Sequence, residues 1–126
     1  MCIRDREQLL NQLYTSTEFN AEEVEYIEAH GTGTQAGDPV ELGAIDRVLA
    51  QKRSRPLRIG SVKTNMGHSE GAAGLAGMSK VLLAMEHGML PANLHFTQPN
   101  SNIESCLLYT SPSPRDRTRS RMPSSA

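Results

Sequence analysis

The sequence predicts an α/β fold, and three observations predict it. Short β-prone runs alternate with helical patterns in strand–helix–strand–helix order. Two of those runs lead into glycine-enclosed histidines, in His30-Gly31-Thr32-Gly33-Thr34 and in Gly60-Ser61-Val62-Lys63-Thr64-Asn65-Met66-Gly67-His68. The last helical pattern, Glu70 to His87, is apolar on nearly all sides, as buried helices are. So little chain remains to cover it that the 126 residues read as a piece of a domain.

Taken in order, Glu7 to Tyr14 carries Leu9, Leu10 and Leu13 at helical spacing and reads as the end of an amphipathic helix. Thr15 to Glu23 is a polar connection. Val24 to Ala29 alternates apolar and acidic residues, the signal of a half-buried strand. Asp38-Pro39-Val40-Glu41 reads as a helix start: Asp38 caps, Pro39 suits the first helical position, and Glu41 completes a capping box. Leu42, Ile45, Val48 and Leu49 form its apolar stripe, to about Gln51. Lys52 to Pro56 is a basic turn, and Leu57 to Gly60 a short strand. Met78 and Met85 are expected to fill gaps in a core, Gly88 to end the long helix in the left-handed conformation, and Pro91 to prevent a restart. Asn93 to Phe96 reads as extended before a turn at Pro99-Asn100, with His95 packed and His87 placed to favour the helix dipole.

Composition excludes several classes. Net charge is -1, against a nucleic-acid or membrane-surface role driven by bulk electrostatics, and no run is long enough to span a bilayer. Apolar residues make up only 37%, no tryptophan is present, and the only cysteines are Cys2 and Cys106.

Both ends differ from the middle. Ser111 to Ala126 is rich in proline, serine and arginine and reads as disordered. Met1 to Asp5 can be written ATG TGT ATA AGA GAC; its reverse complement, in another frame and with flanking bases, encodes Cys106 to Ser111. That string resembles a transposase-based sequencing-library adapter, whose continuations encode Pro112 to Asp116 and Arg121 to Ala126. Residues 1–6 and 106–126 are therefore expected to be translated adapter, the latter disordered, leaving 7–105 as the protein's own. The cysteine-poor remainder fits a reducing compartment.

The two histidine loops lie about one helical connection apart, and together they read as one site. A partly buried neutral imidazole donates one N–H. Two donors meeting on one oxygen stabilise an enolate or oxyanion, each worth about 3 kcal/mol. Lys63 lies close enough to His68 to shape its electrostatics, and Thr32 and Thr34 offer hydroxyls to a polar ligand arm.

AHGTGT followed by GDPVE, then GSVKTNMGHSEGAAG and HGMLPANLHF, resemble the β-ketoacyl synthase (condensing-enzyme) family of the thiolase superfamily. The flavour is that of the ketosynthase domains of type I polyketide synthases and animal-type fatty acid synthases, and EGAAGLAG leans to the polyketide side. The resemblance covers Glu7 to Ser105. It implies the C-terminal half of a thiolase-like layered α-β-α-β-α fold, present as a fragment. His30 and His68 then match the two catalytic histidines, Lys63 the lysine that supports the second, and Thr32 and Thr34 the threonines that bind the phosphopantetheine arm of acyl carrier protein.

The implied reaction is decarboxylative Claisen condensation of malonyl-carrier-protein with an enzyme-bound acyl thioester, an acyl transfer of polyketide or fatty acid biosynthesis. It needs no metal and no bound cofactor. The implied partners are the carrier protein, malonyl- and acyl-thioesters, the other half of the ketosynthase domain and a second copy in a homodimer; nucleic acid and membrane are not among them, and the setting is cytoplasmic. The family's cysteine nucleophile has no match here, so the fragment alone is expected to be inactive.

Two rivals differ in class. A non-catalytic ketosynthase-like structural subunit would also lack the nucleophile. A dinucleotide-binding oxidoreductase fragment would use Gly31-x-Gly33-x-x-x-Gly37, but it predicts an acid after the next strand, where Gly60-Ser61-Val62-Lys63 has none. A zinc site on His30 and His68 finds only Asp38 nearby as a further ligand.

Overall fold

The computed structural model describes residues 3–17, 20–51, 53–95, 100–103 and 108–110. Helix α1 spans Ile3–Ser16, strand β1 Tyr26–Glu28, helix α2 Gly37–Ile45, strand β2 Leu57–Gly60, the one-turn helix α3 Lys63–Met66, helix α4 Ala73–His87 and strand β3 Leu108–Thr110. The α/β class is as the alternation of patterns predicts. Helix α2 widens into a π turn over Asp46–Ala50, and a 3-10 turn, Glu70–Ala72, leads into α4.

The three strands form one parallel sheet in the order β1-β2-β3, with Ile27 opposite Ile59 and Glu28 opposite Gly60. Parallel neighbours need a crossover, and α2 supplies the one between β1 and β2. Side chains alternate across the strands. Ala29, Leu57 and Ile59 pack with Ile45, Leu49 and Ala50 of the α2 side, joined by Ile27, Leu10 and Tyr14. Tyr26 and Glu28 point the other way, toward α4. The sheet thus lies between an α1–α2 layer and α4.

Several expectations are corrected. Helix α1 ends at Ser16 rather than at Tyr14, and Glu7 lies inside it. No capping box forms: the Thr34 hydroxyl accepts from the Gly37 amide at 3.0 Å, while Asp38 and Glu41 turn back to the preceding loop. Leu75, Met78, Leu82, Leu83 and Met85 of α4 are all more than half exposed; only Gly77, Lys80 and Ala84 of that helix are buried. So Met78 and Met85 fill no core gap in this chain. His95 is likewise exposed, with a φ of 60°.

Gly88 does end α4 in the left-handed conformation, with φ 61° and ψ 27°, its N–H reaching back to the Ala84 and Met85 carbonyls. Strand β3 falls in the stretch expected to be disordered. Its Leu-Tyr-Thr is β-prone, and the edge of β2 offers a row of unpaired backbone groups to any such run. Phe96, Pro99, Cys2, Cys106 and the rest of 111–126 lie outside the described residues.

Candidate active site

β1 delivers His30 and β2 delivers the Ser61–His68 segment, because parallel neighbours present their C-terminal ends on the same side of the sheet. The carboxylate of Glu41, one turn into α2, clamps the first loop. Its two oxygens accept from the amides of His30 at 2.7 Å and Gly31 at 3.0 Å. Asp38 accepts from the Gly33 amide at 3.2 Å. Gly31, at φ +46°, also passes so close to Ser61 that a Cβ there would stand 2.9 Å from the serine Cβ. Only glycine fits that approach without a shift.

The second segment is tied to the first and to the chain after α4. The Ser61 hydroxyl donates to the His30 carbonyl at 3.4 Å, and the Asn93 side chain accepts from the Ser61 amide at 3.1 Å. Thr64 accepts from the Leu94 amide at 3.3 Å. Gly67, at φ +82°, then turns the chain so that His68 faces back toward His30.

The His30 and His68 ring centroids lie 5.6 Å apart, with the ring planes at 86°. His68 Nδ1 accepts from the Glu70 amide at 2.9 Å. A nitrogen that accepts carries no proton, so the neutral ring keeps its N–H on Nε2, free for a ligand. Both rings are exposed, not partly buried as the sequence reading had them, since the described residues include nothing that packs over them.

Lys63 is the first residue of α3 rather than a strand end. It lines, with His30, Glu28, Ala73, Gly77 and Met78, an open cavity of about 480 Å³ between β1 and α4. Among the described residues its ammonium makes no hydrogen bond or ion pair, to His68 or otherwise. Thr32 is exposed at the mouth of the first loop; Thr34 is engaged as the helix-start acceptor, though its O–H remains a donor.

What the strand pattern concealed is the polar group behind the site. Glu28 shares the face of Tyr26; its side chain is 13% exposed and pairs with Lys80 at 2.9 Å, itself 5% exposed. The Tyr26 hydroxyl donates to Glu28 at 2.6 Å and accepts from Lys80 at 2.8 Å. Burial first, then the bond to Glu28 and its negative charge, pushes the Tyr26 phenol far above its ordinary range. The residue signal was available: a lysine in the middle of an otherwise apolar helix needs a buried partner.

The rival readings meet obstacles in the same geometry. The loop amides that would cradle a dinucleotide's phosphates are already held by Glu41. Asp38, the one further zinc ligand proposed, is committed to the Gly33 amide.

Parallel strand ends thus bring His30 and His68 together on one side of the sheet. The family profile described as "Beta-ketoacyl synthase, C-terminal domain" matches residues 3–97, and the chain belongs to that family. It is 50% identical over 99 residues to a highly reducing polyketide synthase of Aspergillus terreus (strain NIH 2624 / FGSC A1156) and, over the same length, to erythronolide synthase EryA2 of Saccharopolyspora erythraea. Each alignment covers 79% of this chain but only 4% and 3% of those proteins. The ketosynthase from module 6 of the bacillaene synthase of Bacillus subtilis 168 superimposes with a TM-score of 0.82 at 40% identity, over 88% of this chain and 20% of that one. The chain is thus a thiolase-like α/β fragment, part of a ketosynthase domain of the polyketide synthase type. Among the described residues no helix is long and apolar enough to cross a membrane.

Proposed function

We propose that this segment supplies the decarboxylating half of a condensing site. A malonyl thioester, presented on the phosphopantetheine arm of a carrier protein, places its thioester oxygen between His30 and His68. The C–C bond to the carboxylate breaks, carbon dioxide leaves, and the electron pair moves onto that oxygen as an enolate. The two imidazole N–H groups hold the negative charge. The enolate carbon then attacks an acyl group carried on a cysteine outside this chain, releasing the thiolate and forming the β-ketoacyl product.

The observation that carries the reading is the 5.6 Å separation of two imidazoles from different loops. A hydrogen bond spans about 3 Å, so rings this close can each turn a nitrogen onto one oxygen lying beside both. The Nε2 tautomer imposed on His68 by the Glu70 amide supports it. Lys63, in the same cavity as His30, adds positive charge where the enolate forms. Thr32 and Thr34, on the loop at its mouth, hydrogen-bond the phosphopantetheine arm. The intact synthase supplies the cysteine and the remaining domain, acts in the cytoplasm, and works as a homodimer.

The test is malonyl decarboxylation by the intact synthase that encodes this segment. His30→Ala and His68→Ala should each lower carbon dioxide release by two to three orders of magnitude, about 3–4 kcal/mol per donor. Parental rates in either variant would remove that histidine from the chemistry; parental rates in both would favour a non-catalytic structural subunit. We further infer that residues 1–6 and 106–126 derive from adapter sequence. The source nucleotides decide this: the adapter codons support it, and any other codons overturn it.

A further inference from the structure

We propose that Glu28 is a positioning residue that sets the spacing of the two histidines, acting through the amide of Val62. The inference rests on the histidine reading above and names what holds that pair in register.

Glu28 sits two residues before His30, as the last residue of β1. One carboxylate oxygen accepts from the Val62 amide, at the start of α3, one residue before Lys63 and six before His68. The other oxygen is held by the Tyr26 hydroxyl at 2.6 Å and the Lys80 ammonium at 2.9 Å. One side chain therefore links β1, the chain leading to His68, and α4. No other described side chain does all three.

The surroundings are shaped to admit it. Gly77 of α4 lies against Glu28, where a Cβ would stand 3.1 Å from Glu28 Cγ. Gly60 lies against Tyr26, Asn93 and Lys80, and a Cβ there would collide with the Tyr26 hydroxyl. The ion pair is nearly dry, and a nearly dry pair is weak evidence for a stabilising role: replacing such a pair with apolar residues is often neutral. What it does here is fix a carboxylate at one place, with one oxygen aimed at one backbone amide. Charge-assisted bonds to backbone N–H groups are short and directional, which suits a register device. A small shift of the Val62 amide carries α3, Gly67 and His68 away from His30, and misplacement of a catalytic group by about 1 Å costs on the order of 100-fold.

Two variants of the intact synthase separate this role from general stability. Val62→Pro deletes the donor at a backbone angle proline accepts, since the Val62 φ is -59°, and replaces a buried side chain with it. Glu28→Leu combined with Lys80→Met deletes the acceptor instead and leaves no charge unpaired. Decarboxylation is measured per acylable cysteine, so that unfolded protein does not count.

Both variants should lower kcat at least tenfold with KM within twofold. Either one at the parental kcat overturns the proposal. If Val62→Pro yields no acylable cysteine, the double variant decides: a tenfold loss of kcat upholds the proposal, kcat within threefold overturns it. His30→Ala, run alongside, keeps the two levels apart. Parental decarboxylation in that variant defeats the histidine reading, whereas its loss together with an unaffected Val62→Pro defeats only the role of Glu28.

Discussion

The two faces of the sheet are made from alternate residues of the same strands and could hardly differ more. Toward α1 and α2 lie Ile27, Ala29, Leu57 and Ile59, an apolar layer in which Leu57 is fully buried. Toward α4 lie Tyr26, Glu28 and Gly60, a polar layer held by an ion pair and three hydrogen bonds. The apolar face gains free energy from burial, non-directionally and in proportion to area. The polar face gains little net stability but fixes atoms in place. One face holds the fragment together, and the other decides where the histidines stand.

The largest effect expected from breaking this contrast is on the apolar face. Leu57→Ala should cost about 3 kcal/mol of stability in the intact domain while leaving the decarboxylation rate per folded site unchanged. Chemical denaturation with parallel kinetics checks both halves; a slowed site would mean that the faces are not independent.

Next comes Glu41→Gln, which turns an amide N–H₂ toward a loop amide that needs an acceptor. Loss of about 1 kcal/mol is expected, together with faster hydrogen exchange at the His30 and Gly31 amides. Unchanged exchange would show that the clamp is not holding the loop.

Helix α4 sharpens the comparison. Leu82 is 66% exposed, so Leu82→Ala should change the stability of this isolated chain by less than about 0.5 kcal/mol. In the intact domain the same change should cost about 2 kcal/mol, because an apolar face of this extent is built to be covered. The isolated chain should for the same reason self-associate in sedimentation; a monomer that melts cooperatively would contradict this.

The smallest effect is a pH dependence. The Tyr26 proton is held more tightly in the folded chain than in the unfolded one, whose phenol titrates near 10. Folded protein thus binds more protons above that pH, and stability falls as pH rises past about 10. Tyr26→Phe should remove that alkaline loss in the intact domain, as read by denaturation between pH 9 and 11.

How much of this the residues announced can be traced element by element. The α/β order, the extent of α4 and its Gly88 end, and the convergence of His30 with His68 were all legible, because glycine punctuation and periodicity are local signals. The roles of Asp38 and Glu41 were not. Their spacing fits a capping box, but once Thr34 takes the Gly37 amide, the two acids are released to hold the His30–Gly33 loop. The role of Glu28 was not legible either: alternation assigns a face but not what lies across it, and Lys80 is 52 residues away. The exposure of α4 was invisible too, since an all-apolar pattern states that a helix is to be buried and not by which chain.

The central claim is that both imidazoles address one oxygen, and a crystal structure of the intact ketosynthase with a non-hydrolysable malonyl-thioester analogue tests it most directly. Nε2 of His30 and Nε2 of His68 should each lie about 2.7–3.1 Å from the same thioester oxygen. Rings that bind separate atoms, or a thioester oxygen held by neither, would contradict it.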